Sequence, residues 1–307
     1  RSVYLGRFGD MPDPRTRTDR VLTKEEQQSL SPEQVLTLLT EGNARFVAGD
    51  VTHRDHRAQV RAAAQGQWPK AVVLSCLDSR IPVEDVFDCG IGDLFVARVA
   101  GNVINVDILG SMEFGCAVVG AKVVLVLGHE HCGAVKGAID RVELGNLTAL
   151  LRSIEPAVDA VTGFEADRTS KHEPFVHRVA EENVRLSLQR IRRESAVLRE
   201  LEAEGRLRIV GAMYEMETGV VTMVPEQTVP MSKKRRADES TIENRVYLFR
   251  ELAAAFITRE GGLLTSAKPE DRERARAGLA EVARVACLVA DLEDATPDEL
   301  AKAIVGE

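Results

Sequence analysis

The 307-residue sequence has no uninterrupted apolar stretch approaching the roughly 20 residues a bilayer-crossing helix needs, and its opening RSVYLGRFGD has no signal-like apolar centre. It also lacks a basic excess. Its 40 Lys and Arg stand against 48 Asp and Glu, a net charge of -8, which counts against nucleic acid as the main partner. Cysteine is sparse: the five, at 76, 89, 116, 132 and 287, are odd in number and without the dense spacing of a secreted disulfide scaffold. A reducing, cytoplasmic setting is the expectation. The chain starts at Arg, which is also compatible with a targeting segment removed upstream. No internal repeat is present, and the length suits one sizeable core with an appendage, or two modest domains.

Three regions differ in pattern. Residues 1–30 are polar and rich in Arg, Asp and Pro, and are expected to form an arm with little core of its own. Ser31-Pro32-Glu33-Gln34 supplies an N-cap, a proline at the first helical position and a capping-box glutamine, which predicts a helix through about Phe46. From Lys70 onward short apolar runs, 71–75, 93–99, 122–128 and 206–214, alternate with helical spacing over 108–121 and 175–205. That alternation predicts an α/β domain over residues 31–225, a mostly parallel central β-sheet flanked by helices. Residues 226–307 read as a charged linker followed by a helical C-terminal extension, with helical patterns over 241–259, 270–292 and 296–305. The Lys233–Arg236 basic run fits a solvated linker.

The chemistry is concentrated in two short clusters. Cys76-Leu77-Asp78-Ser79-Arg80 ends one strand-like run, and His129-Glu130-His131-Cys132-Gly133 ends another. Two thiolates and an imidazole make three good zinc ligands, and both clusters fall where open α/β sheets place their sites, beyond the carboxyl ends of strands. Three ligands leave a fourth position open. Asp78 can close that position or swing away, and Arg80 beside it is a bidentate partner able to draw the carboxylate off a metal. A helix starting near Gly133 would aim its N-terminal dipole at Cys132 and favour the thiolate. The structural alternative is a closed four-ligand staple.

On CLDSR at 76–80, GHEHCGAV at 128–135 and GDLFVARVAGNVI at 92–104, the chain resembles the β-class carbonic anhydrases from about Ser31 to Val224. The resemblance implies Zn2+ on Cys76, His129 and Cys132, with Asp78 a fourth ligand in a closed state only, and Asp78 with Arg80 as a catalytic dyad. It implies reversible hydration of CO2 to bicarbonate and a proton. It further implies Gln67, Phe95 and Phe114 at the substrate, and an active site at the interface of a homodimer or higher even oligomer. Phe114 stands where a tyrosine is frequent, and Val99 where an asparagine is. Val73 replaces the tryptophan of a regulatory bicarbonate site to which Arg98 and Tyr214 would contribute, so that site is expected to be absent. His131 is either a proton shuttle or a spectator. Two alternatives stay open: the same site acting on CS2 or COS, and a weakly catalytic bicarbonate-binding or interaction scaffold.

Overall fold

A computed structural model describes residues 18, 20–164, 166–225, 256, 261–266 and 268–289. By compactness the chain divides into two units, Arg1–Gln227 and Thr228–Glu307.

The first unit is built on a five-stranded sheet in the order β2-β1-β3-β4-β5, with β1 Ala71–Ser75, β2 Leu94–Arg98, β3 Val123–His129, β4 Arg208–Tyr214 and β5 Val221–Met223. The first four are mutually parallel, and β5 adds antiparallel to β4. Every residue of β1 and β3 is buried, which is why these runs read as continuous β-branched and leucine segments and not as alternating ones. β2, at the edge, is only half-buried over Leu94–Ala97. The short β5 lay hidden in sequence, since VTM is too brief to show a period.

Helices α1 Lys24–Ser29, α2 Pro32–Ala48, α3 His56–Ala63, α4 Val83–Val86, α5 Val106–Glu113, α6 Gly133–Ile139, α7 Gly145–Arg152, α8 Glu155–Ala160, α9 Glu173–Glu194 and α10 Ala196–Ala203 surround the sheet. The Ser31 capping box forms as its sequence dictates, with Gln34 N–H donating to Ser31 Oγ at 3.2 Å and Ser31 N–H to Gln34 Oε1 at 2.8 Å. Residues 20–30 depart from the expected arm. Thr23 starts α1 with a second capping box, Leu22 and Leu30 join the core, and buried Gln27 donates to the Pro69 carbonyl at 2.8 Å. The polar composition concealed two leucines at the ends of a one-and-a-half-turn helix.

The helical pattern over 108–121 becomes α5 followed by a π-helical turn, Phe114–Val119. The pattern over 175–205 is cut at Ser195, whose Oγ accepts from Leu198 N–H at 3.1 Å and donates to Glu113 Oε1 at 2.6 Å. A serine that caps a new helix ends the old one. The apolar face of α9, including Phe175, Val179, Val184, Leu188 and Ile191, packs on β3 and β4. Close approach there depends on Gly128 and Gly211, where a Cβ would fall 2.6 Å and 2.4 Å from Val184 methyls.

In the second unit a 3-10 turn, Gly261–Thr265, packs against α11, Pro269–Val289. Ser266 anchors the start of α11, donating from Oγ to Asp271 Oδ2 at 2.7 Å. The helix expected over 270–292 is thus present through Val289; the patterns at 241–259, apart from residue 256, and 296–305, with the Lys233–Arg236 run, lie outside the described residues. No helix among the described residues is long and apolar enough to cross a membrane.

Candidate metal centre

Parallel pairing sets the site. Ser75 at the end of β1 lies opposite Leu127 of β3, and β3 runs two residues further to His129, so Cys76 leaves the sheet beside the end of β3. β1 has β2 on one side and β3 on the other, and the clusters meet at the carboxyl ends around this switch of direction.

The donor atoms of Cys76, His129 and Cys132 all lie within 4.8 Å of one another, and all three residues are buried. The two sulfurs are 3.9 Å apart. That is nearly double a disulfide bond and matches the roughly 3.8 Å expected for two sulfurs each about 2.3 Å from a tetrahedral zinc. His129 Nδ1 lies 2.8 Å from the Glu130 carbonyl; because a carbonyl only accepts, Nδ1 carries the proton and Nε2 keeps its lone pair. Nε2 is buried with no hydrogen-bond partner. An orphaned imidazole nitrogen beside two converging sulfurs is what a divalent ion would satisfy, and the donor set suits zinc.

The sulfurs divide one proton unequally. Cys76 is held down at about 4, first because the Cys132 thiol donates to it, against opposing burial, with further help from the backbone N–H groups of Gly101 and Asp78. Cys132 is pushed up because it keeps the proton it shares with Cys76, and burial adds to this. The N–H groups of Ala134 and Val135, in the first turn of α6, pull the other way. The N-terminus expected near Gly133 is therefore aimed at Cys132. Cys89 and Cys116 are buried, and burial pushes their thiols up to about 11 and about 12, so they stay neutral core groups.

Asp78 is turned to Arg80. Arg80 Nε donates to Asp78 Oδ1 at 2.9 Å and Nη2 to Oδ2 at 2.6 Å, and the Arg80 backbone N–H adds a bond to Oδ1 at 3.0 Å. Arg80 thereby holds the carboxyl down at about 2, against a smaller opposing effect of burial. The carboxylate is outside the ligand cluster, so the geometry is the open one.

Sequence reasoning missed the scaffold behind these groups. Arg98, at the end of β2, donates from Nε to the Cys76 carbonyl at 3.0 Å and from Nη2 to the Asp78 carbonyl, clamping both ends of the loop. The sequence offered Arg98 only as a strand-end residue and as a member of the regulatory site expected to be absent, not as a support for this loop. His131 has φ 54° and points to Glu173, Nδ1 to Oε2 at 2.7 Å, with Lys136 Nζ on the other carboxylate oxygen at 2.6 Å. Gln67 is exposed in the loop before β1 and makes no hydrogen bond among the described residues. Phe95 and Phe114 pack against each other with tilted rings at the β2 edge, centroids 6.2 Å apart, with Phe114 half-exposed. Val73 is fully buried in β1, paired with Leu125 and Val96. A 350 Å³ cavity lined by Arg141, Glu143, Thr148 and Arg152 includes none of the cluster residues.

A family model described as carbonic anhydrase matches residues 71–221. The chain is 38% identical over 187 residues to carbonic anhydrase 2 of Mycobacterium tuberculosis, an alignment covering 59% of this chain and 87% of that protein. It is 36% identical over 191 residues to the carbonic anhydrase of Mycolicibacterium smegmatis, covering 60% and 89%. Among solved structures, the β-carbonic anhydrase CafA of Aspergillus fumigatus matches with a TM-score of 0.50 at 24% identity, over 66% of this chain and 95% of that one.

Proposed function

The chain belongs to the β-class carbonic anhydrases, and from that membership we propose that it converts CO2 and water reversibly to bicarbonate and a proton, using Zn2+ held by Cys76, His129 and Cys132. One observation carries the metal assignment: a buried, partnerless imidazole nitrogen converges with two sulfurs at tetrahedral spacing. Zinc, when bound, supplies the Lewis acidity that makes water nucleophilic near neutral pH.

The protein's own groups do the rest. Asp78, ionised at every pH above about 4, is an acceptor that can orient the incoming nucleophile and hold its proton. Arg80 fixes both carboxylate oxygens, which keeps Asp78 off the metal position and its charge intact. Arg98 fixes the backbone on either side of Leu77 and so sets where Asp78 stands.

Gln67, Phe95 and Phe114 are proposed substrate-contacting groups in an assembly of two or a higher even number of chains. The support is that β2 is a half-buried edge strand and that Phe114, Leu77 and Val118 are exposed apolar side chains of the kind a second copy covers. Light scattering of the purified chain should give at least twice 33.6 kDa.

The decisive experiment pairs metal analysis with stopped-flow CO2 hydration on the full-length protein, with CS2 and COS as competing substrates. One zinc per chain and fast hydration are expected. Protein that hydrates CO2 without metal would overturn the reading, and preferred turnover of CS2 or COS would reassign the substrate.

A further inference from the structure

Asn183 lies buried in the middle of α9, and no step above uses it. Its side chain is 3% exposed, and Nδ2 donates to the Gly101 carbonyl at 2.8 Å. A buried amide is costly without partners, so its presence among the mostly apolar buried residues of α9 calls for a physical reason.

Gly101 supplies it. Its N–H donates to Cys76 Sγ at 3.3 Å, a hydrogen bond made directly to a metal-ligand sulfur. Gly101 sits at φ 69°, ψ 17°, a left-handed conformation suited to glycine, and a Cβ there would fall 2.6 Å from Ile154 Cδ1. A residue so free in φ and ψ does not hold its own amide on target. Its N–H and its carbonyl lie in successive peptide planes, so the Asn183 bond on one side and the Cys76 bond on the other together restrain φ and ψ.

An N–H directed at a thiolate draws charge from the sulfur lone pairs and weakens what they give to a bound cation. We propose that Asn183 is a positioning residue for the metal centre: through Gly101 it aims a backbone N–H at Cys76 and so sets the donor strength of that sulfur. The inference rests on the metal reading of the Cys76, His129 and Cys132 cluster. Ser187, one turn further along α9, offers a matched control, since it is also buried and its Oγ reaches the neighbouring Asn102 carbonyl at 3.5 Å.

The test uses full-length protein loaded with Co2+, whose sulfur-to-cobalt charge-transfer absorption reports how readily the thiolates give up charge. Asn183→Ala and Asn183→Asp should shift this band to longer wavelength, and Ser187→Ala should leave it in place. An unmoved band in folded Asn183 variants, or an equal shift in Ser187→Ala, would overturn the proposal. If neither Asn183 variant folds, the wild-type protein loaded with 113Cd decides: a through-bond correlation between the metal and the Gly101 amide proton supports the proposal, and its absence refutes it. Wild-type protein that takes up no Co2+ sinks the metal reading and this inference together. One Co2+ per chain with unmoved bands sinks this inference alone.

Discussion

The sulfurs of Cys76 and Cys132 lie 3.9 Å apart although 56 positions separate them in the chain. Nothing local brings them there. β1 and β3 pair in parallel, each strand ends where its ligand cluster begins, and the first turn of α6 directs backbone N–H groups at the second sulfur.

Replacing either sulfur should abolish the proposed reaction. Cys76→Ser and Cys132→Ser are expected to lose zinc and to lower CO2 hydration on the order of 10³-fold or more, because the large drop in water pKa that the metal provides goes with it. Metal analysis and stopped-flow rates on the same preparations check this, and a variant that keeps full turnover without zinc would contradict it.

Arg80→Gln should release Asp78. With its guanidinium partner gone, the Asp78 carboxyl should titrate nearer its ordinary 3.8 than about 2. Because the folded value is the depressed one, the pair's contribution to stability is fully present above about pH 4 and disappears as pH falls through about 2. The variant should therefore lose less stability than the parent over that interval. Denaturant titrations at stepped pH would show equal losses if the Asp78–Arg80 bonds contributed nothing.

Asp88 anchors the N-terminal helices to the loop after α4. Its fully buried carboxylate accepts from Arg45 Nε at 2.6 Å, Arg54 Nη1 at 2.5 Å, and Thr52 N–H and Oγ1 at 3.0 and 2.7 Å. Burial alone would raise its pKa, but Arg45, Arg54 and Thr52 together keep it below the usual range. Asp88→Asn leaves two guanidinium groups short of a counter-charge and should cost about 3 kcal/mol. Urea unfolding measures it directly, and a loss below about 1 kcal/mol, the scale of an exposed pair, would mean that the cluster is solvated in solution.

Gly42 marks where α2 meets the backbone, since a Cβ there would fall 2.0 Å from the Phe87 carbonyl oxygen. Gly42→Ala must push α2 outward and is expected to destabilise by about 1–3 kcal/mol. The melting temperature should fall clearly, whereas the higher helix propensity of alanine alone would raise it.

The alternation of apolar runs and helical patterns determined the class of fold, and the ends of those runs marked where the candidate ligands fall. Both follow from local rules: a strand buried on both faces must be apolar throughout, and a Ser-Pro-x-Gln start commits a helix. The convergence of Cys76, His129 and Cys132 was legible because few side chains can hold a metal. What lay beyond reach depends on neighbours distant in sequence. The core packing of Leu22 and Leu30, the antiparallel β5, the break at Ser195, and the support of the site by Arg98 and Asn183 all consist of bonds between residues that only packing brings together. Side-chain identity names the possible donors, but which acceptor each one meets is decided by the tertiary fold, because a hydrogen bond needs its partner within about 3 Å and sequence carries no such distance.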